Sequence, residues 1–435
     1  MSTSKPSIEL EIEEKVLGYK WRAPMLEKKL IYDMEKCIGC GLCEKVCPVN
    51  AISLGPVKDI ASGKIEAPYI IIDETKCVAC PLCSSICPSG ALKLMLQSDF
   101  EHPKVKGIIR IDKEKCLPCL LCEKICPRKA ISVSVKVEKK DELVKYVKEG
   151  EAWGKGTIKV DLNKCCYCGL CELLCDAIKI EWIDPQPPSF KLGASIAIDE
   201  SKCDYCGLCE KICPVQAIKV ECTESAPRII EEPKIEGTIN VDEEKCVWCG
   251  LCSGFCSVKA IEVEKPFKGD IYMIQPNECD PSGCKNCINI CPANVVYIAK
   301  PPSKDKMCFI KDYCIYCGAC ENACPVNAIR VIRSDLRIEG LESPWTNMSN
   351  EQFKRVLTGY KPPKPSVYHR SVKIEEVQVT PPPPPPMPPT PKGFEKAVKA
   401  LDKLMNLLSS VPGRIMFEKN EVDKLALRLR GGEGG

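Results

Sequence analysis

The sequence predicts an α+β chain built from small tandem modules rather than around one large core. Three observations predict it. Cysteine supplies 35 of the 435 residues. Thirty-two of these fall into a four-cysteine motif that recurs eight times between Cys37 and Cys324. Short Ile- and Val-rich runs flank the motifs, a period that must be read before any single element. Aromatic residues make up only 6% of the chain, so the centre of each module has to be filled by something other than large rings.

The motif is Cys-x2-Cys-x2-Cys-x3-Cys. Its first three copies are Cys37, Cys40, Cys43, Cys47; Cys77, Cys80, Cys83, Cys87; and Cys116, Cys119, Cys122, Cys126. The fourth to sixth are Cys165, Cys168, Cys171, Cys175; Cys203, Cys206, Cys209, Cys213; and Cys246, Cys249, Cys252, Cys256. The seventh is stretched by two residues, Cys279, Cys284, Cys287, Cys291, and the eighth is Cys314, Cys317, Cys320, Cys324. Cys222, Cys308 and one of Cys165 and Cys166 are left over. Spacing favours Cys165 as the ligand, and Cys222 and Cys308 are expected to be buried strand thiols.

The flanks define the local structure. Runs such as LIYD, YIIID, TIKVD and TINVD precede motifs, and runs such as AISLG, AISVSV and AIRVI follow them, all with strand composition. Six motifs continue as Cys-Pro, through Pro48, Pro88, Pro127, Pro214, Pro292 and Pro325. Proline suits the first turn of a helix, so each unit is expected to run strand, loop, short helix, strand, with the fourth cysteine at the helix start. Gly41, Gly169, Gly207, Gly250 and Gly318 follow a second cysteine, where close backbone approach is expected. Ile38, Val78, Leu117, Val247 and Ile315 are expected to exclude water from the centre. Tyr167, Tyr205, Trp248 and Tyr316 precede a second cysteine and are expected to pack and shield. The fourth motif lacks the proline and is short before Ala177, and the sixth carries Ser257 in its place. Residues 138–155 read as an exposed helix.

Cysteines at three-residue intervals on a tight loop converge on one compact centre, and this spacing is that of a four-iron cluster loop whose fourth cysteine ligates the neighbouring cluster. Structural zinc uses two separated Cys-x2-Cys knuckles instead. Disulfides need an oxidising compartment, and the polar, acidic start of the chain carries no signal-peptide pattern. The 32 cysteines are therefore read as iron ligands of eight [4Fe–4S] clusters, in a cytoplasmic chain without a membrane span. The four two-cluster, ferredoxin-like modules are expected at 28–97, 106–184, 194–266 and 270–335, after an N-terminal extension at 1–27. A nested pairing would use the same ligands in other combinations. A Pro-rich linker is expected at 336–391, and a helical tail at 392–435 with Phe394, Val398, Leu401, Met405 and Leu408 on one face.

Other chemistry finds no foothold. The net charge is +3, with 62 basic and 59 acidic residues and two histidines, which argues against a nucleic-acid face. There is neither a P-loop nor a Gly-x-Gly-x-x-Gly sequence, and no constellation of acid, base and nucleophile stands out. The chain is read as conducting electrons rather than as an enzyme by itself.

Three stretches carry a finer likeness: LGPVKDIASGKIEAPYIIIDETKC at 54–77, CVWCGLC continuing to AIEVEKPFKGDI at 246–271, and ECDPSGC at 278–284. With the eight motifs, they resemble archaeal polyferredoxins of the type that serves as F subunit in formylmethanofuran dehydrogenase. The resemblance implies an electron-transfer subunit among the other subunits of such a complex, in CO2 reduction during methanogenesis or its reverse. Its tungsten or molybdenum site would lie on another subunit. A polyferredoxin of a hydrogenase or heterodisulfide reductase complex, and an iron–sulfur store, are the alternatives.

Overall fold

The computed structural model describes residues 7–23, 26–96, 102–148, 152–300, 306–340 and Phe353. The chain divides into residues 1–364 and 365–435. The expected helical tail and nearly all of the Pro-rich linker lie outside the described residues.

One pairing rule repeats throughout. The strand before one motif pairs antiparallel with the strand after its partner, and the two inner strands pair with each other. For motifs one and two, Leu26–Asp33 pairs with Leu92–Leu96, and Ile52–Leu54 with Ile70–Ile72. For seven and eight, Phe267–Met273 pairs with Ile329–Leu336, and Val296–Ile298 with Met307–Phe309. The Asp ending each strand run makes the turn into the loop. Asp33 Oδ1 accepts the amides of Glu35 and Lys36, and Asp112 and Asp161 repeat the arrangement two and three residues on. This is an Asx turn, the local use to which aspartate is suited.

Motifs three to six depart from the consecutive order. Ile131–Val137 pairs with Ile235–Val241, and Ile108–Ile111 with Ile261–Glu264, so motif three partners motif six. Between them, Gly154–Val160 pairs with Ile218–Ser225, and Ile178–Trp182 with Gly193–Ile198, so motif four partners motif five. Loop hydrogen bonds agree, with Asp112 N–H on Ala260 O, Asp242 on Ala130, Asp161 on Ala217 and Asp199 on Ala177, at 2.7–2.8 Å. The boundaries expected at 106–184 and 194–266 are thus replaced by a nested arrangement, an inner pair inserted in an outer one. Ile131–Val137 meets Ile235–Val241 along its whole length, without a register shift.

The motif helices are four or five residues long and enclose the third cysteine, not the fourth. Cys43 lies in Leu42–Val46, and Cys47 caps its C-terminus; Cys126, Cys213 and Cys324 end their helices in the same way. Proline after the fourth cysteine therefore follows a helix stop, where it cannot continue the helix, instead of starting one. The insertion after motif three is not one helix either. Lys140–Leu143 is helical, and Val144–Tyr146 then joins Arg228–Ile230 as a strand.

The N-terminal extension adds Ser7–Glu13 and Val16–Ala23 to the first sheet, whose strand order runs 7–13, 16–23, 26–33, 92–96. Tyr19 and Trp21 are buried in the core of the first pair. The first and last pairs are pinned by asparagines. Asn286 Nδ2 donates to Lys58 O and Ala323 O, Asn289 to Ala61 O, and Asn322 to Gly39 O, at 3.0–3.1 Å. Phe190 sets its ring edge-on to Phe255 and Tyr313, joining the inner pair's hairpin to the outer and last pairs.

Candidate metal centres

Each loop is built by backbone turned to point amides at sulfur. The residue before the second cysteine has a left-handed backbone at Gly39, Ala79, Tyr167, Tyr205, Trp248 and Tyr316. That twist delivers the N–H of Tyr167 to Cys165 Sγ, of Trp248 to Cys246 Sγ and of Tyr316 to Cys314 Sγ, each at 3.4 Å. A second turn follows the fourth cysteine. Asn50, Gly90, Lys129, Gln216, Lys259, Asn294 and Asn327 all have positive φ. The next amide then meets the fourth sulfur: Ala51 on Cys47, Ala130 on Cys126, Ala217 on Cys213, Ala260 on Cys256 and Ala328 on Cys324, at 3.2–3.3 Å. Converging N–H groups stabilise thiolate. Motif four is two residues too short for this second turn, and there the amide of Ile178 bonds to Cys175 O instead.

The sulfurs gather according to the strand pairing. Cys37 and Cys43 are coupled electrostatically to Cys87, while Cys77 and Cys80 are coupled to Cys47. Cys116 faces Cys256, and Cys246 and Cys252 face Cys126. Cys165 and Cys171 face Cys213, and Cys203 faces Cys175. Cys279 faces Cys324, and Cys314 and Cys320 face Cys291. In every pair the electrostatic coupling of the fourth cysteine thus crosses to its partner's loop. All 35 cysteines are free of disulfides.

The third cysteine of every motif is buried, from Cys43 through Cys320. Burial pushes the Cys122, Cys171, Cys249 and Cys314 thiols up to about 12. A thiolate there needs a cationic core beside it. The residues fit an iron–sulfur cluster in donor type, in loop geometry and in this electrostatic demand. Among the described residues no three Cys, His, Asp or Glu side chains close on a single-ion site, so the fit rests on the loops and the crossing cysteines.

Several expected residues change role. Gly207 and Gly250 have φ of 81° and 85°, and an added Cβ would meet nothing within 4 Å. Left-handed backbone at the helix entry is what requires glycine, not close approach. Ile38, Val247 and Ile315 are buried as expected, whereas Val78 is exposed and Leu117 half-buried. Cys222 is exposed and Cys308 half-buried, because their strands turn these positions outward. Cys165 holds the position that Cys246 and Cys314 hold, while Cys166 is coupled first to Cys168 of its own loop and then to Ser257 and Cys119 of the outer pair. The aromatic residues at the left-handed position pack over strand glycines: a Cβ on Gly193 would come within 2.2 Å of the Tyr167 ring, and one on Gly107 within 2.3 Å of Trp248. Gly193→Ala should therefore cost about 1–3 kcal/mol through overpacking, against about 1–2 kcal/mol for the left-handed strain of Gly207→Ala. Timing anaerobic loss of the visible cluster absorption on warming checks this, and equal rates for G193A and the parent would refute it.

The cysteine loops of different pairs also approach each other. Ile38, Val247, Ile290, Ile315 and Cys317 share one apolar cluster, against which Cys40 and Cys249 pack. Cys40 feels Cys317, and Cys249 feels Cys291. On the other side, Cys119 lies near Cys168, and Leu120 N–H bonds to Cys168 O at 3.1 Å.

A 4Fe-4S dicluster domain model matches residues 36–91 and 278–328, and a 4Fe-4S binding domain model matches 196–219. These matches, with the loops, give the chain iron–sulfur domains of the 4Fe-4S ferredoxin type. Among its relatives is the polyferredoxin protein FwdF of Methanocaldococcus jannaschii, 48% identical over 46 residues, 11% of this chain and 13% of that one. NADH-quinone oxidoreductase subunit I of Sulfurimonas denitrificans is 39% identical over 66 residues, 15% of this chain and 31% of the relative. The chain thus spans under a third of the length of these curated relatives. The wider likeness is to a chain in the solved formate dehydrogenase–heterodisulfide reductase–formylmethanofuran dehydrogenase complex from Methanospirillum hungatei. It has 26% identity and a TM-score of 0.51, and covers 81% of this chain and 92% of that one.

Proposed function

We propose that the chain is an electron relay carrying eight [4Fe–4S] clusters in four two-cluster modules. The ligand sets would be Cys37, Cys40, Cys43 with Cys87; Cys77, Cys80, Cys83 with Cys47; Cys116, Cys119, Cys122 with Cys256; and Cys246, Cys249, Cys252 with Cys126. The remaining sets would be Cys165, Cys168, Cys171 with Cys213; Cys203, Cys206, Cys209 with Cys175; Cys279, Cys284, Cys287 with Cys324; and Cys314, Cys317, Cys320 with Cys291. The observation that carries this reading is the crossing of the fourth cysteine in every pair, which binds two clusters into one fold.

When bound, the clusters would take up and release single electrons. The chain's own part is to bury them, to aim amides at their sulfurs and to set their spacing. The electrostatic coupling of Cys168 to Cys119, of Cys249 to Cys291 and of Cys40 to Cys317 supports a route from the inner pair through the outer pair and the last pair to the first, with a branch where three loops share an apolar patch. The working partner would be a cytoplasmic complex of the formylmethanofuran dehydrogenase kind, to which low-potential electrons are delivered for CO2 reduction or from which they are drawn. The heterodisulfide reductase named in the same solved complex makes it a second terminus to test. No helix among the described residues is long and apolar enough to cross a membrane. Anaerobic isolation from the native cell should yield about 32 irons per chain, together with a tungsten or molybdenum subunit. Zinc in place of iron would end the proposal, and nickel without tungsten or molybdenum would move the partner to a hydrogenase.

A further inference from the structure

Arg333 is the most deeply buried cation among the described residues, at 4% exposure. The strand Ile329–Leu336 alternates buried and exposed, and Arg333 falls on its inward face after Ile329 and Val331. Its Nη2 donates to Cys317 O at 2.5 Å, and its guanidinium lies 5.7 Å from the centre of the Phe267 ring. Its Nε has no hydrogen-bond partner among the described residues. Four other arginines are matched to carboxylates: Arg110 and Arg337 to Glu264, Arg228 to Asp204, and Arg330 to Glu321; Arg128 shares the unpartnered Nε but is only half-buried. Among the described residues Arg333 forms no such ion pair.

A buried guanidinium without a counter-charge is costly. One carbonyl and one ring do not offset that cost. The groups that act on it electrostatically are Cys317, Cys40, Glu321 and Cys320, from loops of the last and first pairs, with Lys45 as a second, partly buried cation, and its bond to Cys317 O places it on the last pair's loop. Glu321 is already engaged by Arg330 and by the amide of Val331. The uncompensated charge therefore sits between the loops through which electrons would pass from one pair to the other.

Resting on the reading of the cysteines as cluster ligands, we infer that Arg333 is a potential-setting residue. Its fixed charge raises the reduction potentials of the cluster held by Cys314, Cys317, Cys320 and Cys291 and of the cluster held by Cys37, Cys40, Cys43 and Cys87, making this junction the place where electrons collect. Four thiolates on a 2+ core leave a cluster at about −2, and one added electron takes the core to 1+ with no proton transferred. The reduced state carries the extra negative charge, so a cation held in a low-dielectric interior favours it. Arg333 keeps its charge at any working pH, so the bias does not titrate away.

The test uses the full chain, anaerobically loaded with iron and sulfide, and titrated stepwise with dithionite while the clusters are followed by electron paramagnetic resonance. Arg333→Gln keeps a donor for Cys317 O and removes the charge; Arg333→Lys keeps the charge and removes the planar fork. R333Q should move two of the eight steps to more negative potential, by at least a tenfold change in the oxidised-to-reduced ratio, which is ~59 mV for one electron. R333K should leave all eight in place. Unshifted steps in R333Q at full iron content, or an equal shift in both variants, would overturn the inference while leaving the cluster reading intact. Should R333Q fail to hold iron, Cys40→Ala and Cys206→Ala in the parent decide it. Alteration of the highest-potential step in C40A but not in C206A supports the inference, and the reverse overturns it. An unmodified chain that binds no iron fails the cluster reading itself.

Discussion

Stripping iron from the loaded chain with a chelator under reducing conditions should abolish most of its ordered structure. The motif helices are four or five residues long, far below the length at which an isolated helix holds in water. Most sheets have only two strands, and such hairpins are marginal alone. The third cysteine of each motif is already among the buried residues, so the centre of each pair is organised around sulfur. Metal-binding free energy is then folding free energy. Circular dichroism should lose its strand and helix signal in step with visible absorption, and reloading with iron and sulfide should restore both. The first sheet, with four strands and its buried Tyr19 and Trp21, should be the last part to melt. A stripped chain that still unfolds in one cooperative transition would contradict this.

The second large effect concerns the junction. Cys317→Ala removes a proposed ligand from the cluster site coupled to both the first and the outer pair, through Cys40 and through Cys249 with Cys291. Electrons delivered in a short pulse to the parent chain should spread over all clusters in a single phase. In C317A the first pair should be cut off and fill in a separate phase, slower by on the order of tenfold or more, a barrier rise of at least ~1.4 kcal/mol. Cys206→Ala, in the inner pair, should lower the electron count without splitting the kinetics. Identical kinetics in both variants would mean that charge moves by exchange between molecules, and that the chain acts as a store.

The nested pairing illustrates how far the residues could be read along the chain. All eight quartets have the same ligand chemistry, so no motif names its partner. A signal was present nonetheless: the interval from Cys175 to Cys203 is short, while that from Cys126 to Cys165 is long, and strands seven residues long lie on either side of the inserted pair. Arg333 was likewise visible as an inward-phased cation in the alternation of AIRVIR. Its neighbours were not, because Cys40 lies almost three hundred residues away. The helix placement failed for a local reason. Cys-Pro fits a helix start and a helix stop equally well, and only the backbone at Asn50 and its equivalents, turned left-handed to aim an amide at the fourth sulfur, decides for the stop.

By itself the sequence determined the eight cysteine quartets, their repeat and the strand on each side of every loop. These depend on residues close together in the chain, where spacing and backbone preference act directly. Only the tertiary structure decided which loops pair, which of them approach another pair, and where a cation is buried between them. Those outcomes depend on strand register and on packing between distant segments, and the lowest free energy of the whole arrangement selects among combinations that the local chemistry leaves equivalent.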